Sequence, residues 1–213
     1  MKTDDLINML ASGVTPIDRH APTKRVGVAM LIGSLSATIL VMIILGARPD
    51  LGIAATTPIF WAKVAFPLTL MVGALSLVMR LARPGRTLGP GTLLIVAGVT
   101  ILWAGSLYVL LTATPDMRAT LVLGKTWRVC AMNITLLSIP GLLAAFWAMR
   151  GLAPTRLTLT GACAGLLAGA TATLAYCLHC PEMDVPFWGT WYWLGMVIPT
   201  VIGALLGRRW LRW

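Results

Sequence analysis

The sequence predicts an all-α integral membrane protein, built as a bundle of six transmembrane helices. Of its 213 residues, 58% are hydrophobic and only 11% are charged, so the chain has too little polar surface to cover a soluble globule of its size. Six apolar runs are long enough to cross a bilayer core of about 30 Å, which takes roughly 20 helical residues. Their leucine, alanine and glycine content favours helices over the strands of a barrel.

The predicted spans divide the chain into three parts. Residues 1–25 form a cytoplasmic segment, residues 26–207 the transmembrane domain, and residues 208–213 a basic tail. The first span is too long for the hydrophobic region of a signal peptide, which runs for about 7 to 15 residues, so we expect it to stay uncleaved. In chain order the predicted spans are Val26 to Gly46, Phe60 to Leu81, Gly91 to Leu111, Cys130 to Met149, Leu157 to Tyr176, and Trp191 to Leu206.

The basic residues predict the orientation of the bundle, because cytoplasmic loops carry an excess of lysine and arginine. Most of the 17 basic residues fall on the side of the N-terminus, namely Lys2, Arg19, Lys24, Arg25, Arg80, Arg83, Arg86, Arg150, Arg156, Arg208, Arg209 and Arg212. The opposite side carries Arg48, Lys63, Arg118, Lys125 and Arg128. We therefore expect both termini in the cytoplasm. The net charge of +10 mostly reflects this bias, so direct nucleic-acid binding is not favoured.

A short amphipathic helix is predicted in the cytoplasmic N-terminal segment. Thr3 can cap it, Asp4 and Asp5 in its first turn suit the helix dipole, and Gly13 and Pro16 end it. Its apolar positions recur at helical spacing and are Leu6, Ile7, Leu10 and Val14. About 10 residues are marginally helical alone in water, so we expect this helix to fold against something. A protein partner is favoured over the membrane surface, because interfacial helices are normally basic on their polar face.

Three of the four cysteines are predicted at the outer face of the bundle. Cys130 begins the fourth span, and Cys177 and Cys180 follow the fifth, so the topology places them within reach of one another. Cys163 lies 14 positions before Cys177 on the same helix, about 21 Å away at 1.5 Å per residue, which is far beyond the roughly 7 Å that a disulfide allows. If the outer face is the bacterial periplasm, a disulfide is permitted there.

Two interpretations of these cysteines remain open from the residues alone. One is a structural disulfide that joins Cys130 to Cys180 or Cys130 to Cys177. The other is a reactive or metal-responsive set of thiols, in which His179 adds an imidazole that suits zinc, cadmium or copper. Basic neighbours, namely Lys125, Arg128 and His179, are expected to favour the thiolate forms.

The spans carry few groups that would indicate transport or catalysis. No Asp, Glu, Arg or His lies in the middle of a span, and Lys63 is close enough to the outer edge to extend its ammonium into water. No Ser-His-Asp set, HExxH motif or phosphate loop is present. Gly161, Gly165 and Gly169 form a small-residue stripe on the fifth span, which we interpret as a helix-packing surface. A small-ion or metal transporter is accordingly a minor alternative.

The chain resembles the NrsF-type membrane anti-sigma factors over nearly its whole length. The resemblance is carried by residues 1–7 (MKTDDLI), the six spans, Trp127-x-x-Cys130, Ser138-Ile139-Pro140, and His179-Cys180 followed by Pro186 and Trp191-Tyr192-x-Leu194-Gly195. It implies a multi-pass protein of the bacterial inner membrane that is not an enzyme. Its cytoplasmic N-terminus, with Thr3, Asp4, Asp5, Leu6, Ile7 and Leu10 as the partner-binding residues, would hold an extracytoplasmic-function sigma factor inactive.

The same resemblance implies a sensory role for the periplasmic cysteines. Cys130 and Cys180 would be the pair that senses heavy metal or oxidative stress, while Cys177 leaves the thiol partner ambiguous. No cofactor is required, although a heavy-metal ion could bind transiently to Cys130, Cys180 and His179. The main alternative is a membrane thiol oxidoreductase of the DsbB type, which would use Cys177 and Cys180 with a quinone. Such an enzyme has no need of an amphipathic cytoplasmic helix, which favours the anti-sigma interpretation.

Overall fold

The computed structural model describes residues 3–12, 20–83, 85, 87–152 and 154–212, and every regular element in this part of the chain is helical. The all-α prediction is confirmed. The α-helices in chain order are α1 (Thr3–Ala11), α2 (Ala21–Leu40), α3 (Leu51–Ala54), α4 (Pro58–Leu81), α5 (Pro90–Thr112), α6 (Pro115–Leu123), α7 (Trp127–Arg150), α8 (Leu157–Tyr176), α9 (Val185–Phe187) and α10 (Trp193–Trp210). A π-helical turn, Val41–Leu45, extends α2, and another, Trp188–Tyr192, joins α9 to α10.

Six helical segments among the described residues are long and apolar enough to cross a membrane, as the sequence predicted. They are Ala21–Leu45, Pro58–Leu81, Pro90–Thr112, Pro115–Arg150, Leu157–Tyr176 and Val185–Trp210. The first begins before the predicted Val26, because Pro22 in its first turn is well placed to start a helix. The last continues through Arg208 and Arg209, whose charges suit the C-terminal end of a helix dipole, so the predicted basic tail begins inside this helix, which ends at Trp210.

Helix α8 lies at the centre of the bundle and packs against α2, α4, α7 and α10. Its glycine stripe faces α10, where Gly161 meets Gly203, Gly165 meets Pro199, and Gly169 meets Met196. A Cβ atom on Gly165 would overlap the Pro199 carbonyl group, so only glycine permits this approach of the two backbones. The stripe is therefore a helix-packing surface, as expected.

The remaining helices surround this centre and leave large apolar side chains on the outside of the bundle. Helix α2 packs against α7, and α5 lies at the edge against α4. Leu31, Leu35, Leu93, Ile101 and Leu205 are all more than half exposed on the outer surface. An apolar exterior of this kind matches a hydrocarbon environment. At one end of the bundle, the start of α7, the end of α8 and the turn after the first span converge on residues 177–184, which form the candidate site.

Candidate functional site

A tight turn at the end of α8 positions two of the cysteines. The main-chain N–H of Cys177 donates to Thr173, at 3.0 Å, and continues the helix by one residue. The N–H of Cys180 donates to the carbonyl of Tyr176, also at 3.0 Å, and Pro181 then prevents a further helical bond because it lacks an N–H. Cys177 and Cys180 therefore stay on one compact turn, which leads into the loop of residues 181–184.

Cys130, in the first turn of α7, lies next to the turn that carries Cys177 and Cys180. Its thiol forms a hydrogen bond with the thiol of Cys180, and Cys177 lies close enough to interact electrostatically with Cys180. We call Cys130, Cys177 and Cys180 the thiol cluster. All four cysteines of the chain are free thiols, so neither predicted disulfide is present. Cys163 is buried in α8 and takes no part in the cluster.

Two tyrosines enclose the thiol cluster. The hydroxyl of Tyr176 interacts with the Cys130 thiol and with the side chain of Asn133. The hydroxyl of Tyr192 is fully buried beside Cys177 and Cys180, without a well-aligned hydrogen bond to any described group. Both rings pack against each other, with centroids 6.1 Å apart. The cluster is consequently shielded from water, and Cys130 and Cys180 are each 0% exposed.

Lys63 contradicts the expectation that its ammonium extends into water. The residue is 0% exposed, and its Nζ donates to the carbonyl oxygens of Cys180, at 2.6 Å, and Glu182, at 2.8 Å. Its charge also lies 5.6 Å from the centroid of the Tyr192 ring, which is a cation–π distance. Lys63 turns inward because the loop after α8 closes over it and offers two carbonyl oxygens in place of water.

Glu182 fastens the loop to the start of α7. Its Oε1 accepts hydrogen bonds from the main-chain N–H groups of Lys125, at 2.7 Å, and Thr126, at 3.1 Å. The hydroxyl of Thr126 donates to the same oxygen at 3.2 Å. A carboxylate at this point satisfies donors that the beginning of a helix leaves unpaired and complements its dipole. Glu182 thus fixes the loop next to the helix that carries Cys130.

The turn after the first span holds the loop from the other side. The main-chain N–H of Arg48 donates to Leu178, at 3.0 Å, and the Nη1 of Arg48 donates to the Cys180 carbonyl, at 3.4 Å. Nδ1 of His179 lies 2.9 Å from the carbonyl oxygen of Gly46. Arg48 is itself oriented by two bonds to the carboxylate of Asp50, at 2.6 and 2.7 Å. These contacts join the cysteine loop to the turn that follows the first span.

The two thiols of the Cys177–Cys180 turn have opposite tendencies to ionise. Burial raises the pKa of Cys177 to about 12, because an apolar environment disfavours the thiolate. The hydrogen bond from Cys130 holds the pKa of Cys180 below the usual range of a thiol, and the Lys63 ammonium acts in the same direction. Of the two, Cys180 is the cysteine whose surroundings favour the thiolate, the form in which a thiol reacts.

Other expectations about the site are revised by the geometry. The guanidinium of Arg128, a predicted basic neighbour of the thiols, lies over the Trp127 ring at 5.2 Å, and the main-chain N–H of Lys125 donates to Glu182. Among the described residues, no three His, Cys, Asp or Glu side chains are arranged to hold a metal ion. Cys130 and Cys180 are together, but His179 is directed at Gly46.

The N-terminal helix is the second candidate site. It extends over Thr3–Ala11 with Asp4 and Asp5 in its first turn, and none of its residues is buried. The predicted apolar stripe is exposed, with Leu6 at 38%, Ile7 at 57% and Leu10 at 66% of their full accessible surface. The predicted contribution of Val14 and the stop at Gly13 and Pro16 lie outside the described residues. An apolar helix face of this kind is suited to docking in a groove of a partner.

Sequence reasoning missed the three charged residues that hold the loop: Arg48, Lys63 and Glu182. One signal was available for Lys63, because a lysine inside a predicted span is a candidate functional residue by default. Arg48 and Glu182 gave no local signal, since they lie in connections and their partners are 132 and 56 to 57 positions away along the chain.

Comparison with known proteins gives a consistent result. Residues 10–213 match the family described as NrsF, negative regulator of sigma F. The chain is 44% identical to the probable anti-sigma-F factor NrsF of Azospira oryzae, with both chains covered in full. It is 38% identical to the anti-sigma-F factor NrsF of Caulobacter vibrioides, again over the full length of both. No solved structure matches.

Proposed function

This chain belongs to the NrsF family of negative regulators of sigma F, and we propose that it is a membrane anti-sigma factor whose N-terminal segment binds the sigma factor. The target would be a sigma factor of the extracytoplasmic-function class. The observation that carries the proposal is α1, whose apolar residues Leu6, Ile7 and Leu10 contact nothing that buries them. A nine-residue helix is marginal alone, so an apolar groove of the partner would both stabilise and retain it.

The proposed location is the bacterial inner membrane, with both termini in the cytoplasm. The bias of lysine and arginine toward the side of the N-terminus supports this orientation. In that arrangement α1 faces the transcription machinery, and the thiol cluster faces the periplasm. An enzyme reporter that is active only in the cytoplasm, fused after Trp213, tests the orientation; activity of a periplasm-specific reporter at that position would reverse it.

The thiol cluster is proposed to be the sensor that releases the sigma factor. A thiophilic metal ion would bind Cys130 and Cys180 as their protons leave. Alternatively, hydrogen peroxide would take two electrons and two protons from the two thiols, yielding one disulfide and two water molecules. The adjacency of the two thiols, one in α7 and one in the turn after α8, supports either reaction. Both reactions would change how the 177–184 loop packs on the bundle.

A route from the sensor to the sigma-binding helix is available through the first span. Arg48, Gly46 and His179 join the cysteine loop to the turn that follows the first span. The inner end of α2 leads back along the chain toward α1. A reaction at Cys180 that displaces the loop would therefore act on the span that carries the binding segment. Such a switch requires that the reacted site prefers a bundle arrangement in which α1 is less available.

A redox enzyme is a weaker interpretation of the same cysteines. Thiol–disulfide exchange with a substrate protein requires access to the attacked sulfur, whereas Cys130, Cys177 and Cys180 are at most 1% exposed. The family to which the chain belongs consists of regulators. A sensor that reacts with small ions or peroxides is more compatible with this burial.

Substitutions on α1 test sigma binding. Leu6→Asp or Ile7→Asp places a charge in the apolar interface and should cost roughly 2 kcal/mol of binding free energy, about 30-fold in affinity. A sigma-dependent reporter in the same cells should then be active without stress. The matched control is Asn8→Asp, which adds the same charge on the opposite face of the helix and should leave repression intact. Full repression by a chain lacking residues 2–12 would refute the assignment.

A further inference from the structure

A groove on the outside of the bundle lies between α5 and the segment that leads into α10. It has a volume of about 790 Å³, which is within the range of small-molecule sites. Most of its lining is apolar, and the largest side chains in it are Val99, Trp103, Leu107, Leu110, Trp191 and Leu194. We call this feature the α5 groove. The sensing and sigma-binding sites described above do not use it.

The α5 groove has the length of one membrane leaflet. On α5 its lining extends from Val99 to Leu110, about 16 Å at 1.5 Å per residue, whereas the hydrocarbon core of a bilayer is about 30 Å thick. Since α5 ends at Thr112, the groove runs from the middle of this span to the end that carries the cysteine loop. A helix of another protein would follow the whole span, so a groove of half that length favours an acyl chain as the occupant.

Contacts between the two walls make the α5 groove a fixed part of the fold. The rings of Trp103 on α5 and Trp193 on α10 meet edge to face, with centroids 6.4 Å apart. The hydroxyl of Ser106 on α5 donates to the carbonyl oxygen of Val185 at 3.2 Å. Val185 begins α9 directly after the loop of residues 181–184. A molecule in the groove would therefore support the segment that continues the cysteine loop.

A basic segment borders the outer end of the α5 groove. The indole N–H of Trp191 donates to the carbonyl oxygen of Val122 at 2.9 Å, and the ring of Trp191 packs on that of Trp127, with centroids 5.4 Å apart. The Arg128 guanidinium lies over the other end of this contact, 5.2 Å from the centroid of the Trp127 ring, and the exposed Lys125 belongs to the same segment. Neither cation forms a salt bridge with a carboxylate in the described part of the chain.

We propose that the α5 groove binds a phospholipid, with one acyl chain along α5 and the phosphate held by Arg128 and Lys125. The apolar lining matches the chain, and the two cations lie at the end of the span, where headgroups are found. The nearby carboxylate of Glu182 does not compete for them, because it is engaged by main-chain N–H groups. This inference goes beyond sigma binding and rests only on the proposed membrane location.

The test is native mass spectrometry of the purified, delipidated full chain, titrated with palmitoyl-oleoyl-phosphatidylglycerol. Ala104→Trp fills the groove, since Ala104 is an exposed residue of its lining. The matched control is Ala65→Trp, at an exposed position of α4 that does not line the groove. Thr100→Trp is a second filling variant if Ala104→Trp does not fold.

We expect wild type to bind one phosphatidylglycerol at least about tenfold more tightly than any further lipid. Ala104→Trp should abolish this preference, and Ala65→Trp should retain it. Lys125→Gln and Arg128→Gln should each weaken the first binding event about fivefold, which corresponds to about 1 kcal/mol for a basic residue near a lipid surface. Arg209→Gln, at the opposite end of the bundle, is the charge control and should bind like wild type.

Three results would overturn the proposal. Equal affinities for successive lipids in wild type would show that the groove is not a site. Unchanged binding in both Lys125→Gln and Arg128→Gln would remove the phosphate contact. A dimer that Ala104→Trp dissociates would identify a second copy of the chain as the occupant instead. The assay contains no sigma factor, so its failure is separate from failure of the proposed function.

Discussion

At the scale of single residues, the proposed reactive pair consists of Cys130 and Cys180, which come from distant parts of the chain. Cys130 lies in the first turn of α7, and Cys180 lies just after α8. The two thiols therefore meet only when these two parts of the chain pack together. The two thiols are neighbours at one end of the bundle. Neighbouring groups of this kind do not contribute additively.

Serine substitutions test whether the two cysteines act as one unit. Cys130→Ser and Cys180→Ser should each abolish induction by cadmium or peroxide about as completely as the double variant, with a coupling free energy of roughly 1 kcal/mol or more. Sigma-dependent reporter output is the measurement. Cys163→Ser is the matched control and should respond normally, since that thiol is outside the cluster. Normal induction in either single variant would reject the pairing and indicate that Cys177 takes part in sensing instead.

The sequence predicted which cysteines are neighbours but not what surrounds them. Span order and the 14-residue separation of Cys163 from Cys177 are sufficient to separate Cys163 from the other three. The inward direction of Lys63 depends on carbonyl groups 117 and 119 positions away, which no local pattern encodes. The same reason applies to Glu182, whose partners lie at the start of another helix.

At the scale of helices, the glycine stripe of α8 brings its backbone close to that of α10. Apolar length and composition predicted α8 with the bounds that the structure has, Leu157–Tyr176. Its glycine stripe also predicted a packing surface, because small residues at every fourth position allow two backbones to approach. The identity of the partner helix did not follow from the sequence, since Gly203 and Gly207 on α10 are a weaker pattern.

Alanine substitutions on two helices test the packing of α8. Gly165→Ala places a methyl group into the Pro199 carbonyl and should destabilise the folded bundle by about 1–3 kcal/mol. The control is Gly27→Ala on α2, where a Cβ atom would meet nothing within 4 Å, and its effect should stay below about 1 kcal/mol. Thermal unfolding of the detergent-solubilised chains gives both values. Equal stability of the two variants would argue against this contact.

The turn between α2 and α3 is the element that we propose transmits the signal. Arg48→Met removes the hydrogen bond to the Cys180 carbonyl and the pair with Asp50, while it leaves the thiols in place. Reporter induction should weaken by roughly 2- to 30-fold, as expected for residues that couple two sites. Peroxide should still form the disulfide in this variant, because both thiols remain. Arg118→Met, on the exposed surface of α6, is the control and should induce normally. Unchanged induction in Arg48→Met would exclude this route.

At the scale of the whole molecule, the proposal separates sensing and binding to opposite ends of the bundle. Charge bias places the N-terminal segment on the basic side, and the thiol cluster lies beyond the far end of the first span. The sequence predicted this division because the number of spans and the distribution of basic residues between their ends can be read directly from it. It could not predict how the ends communicate, because that depends on side-chain contacts between distant segments.

The most direct measurement of the central claim is the affinity of the full chain, reconstituted in lipid nanodiscs, for its sigma factor before and after the thiols react. We expect the reduced chain to capture the sigma factor, and treatment with cadmium chloride or peroxide to weaken binding at least about tenfold, or 1.4 kcal/mol. The Cys130→Ser, Cys180→Ser double variant should capture equally under both conditions. Failure of the reduced chain to capture the sigma factor, or equal affinity before and after reaction in wild type, would contradict the account.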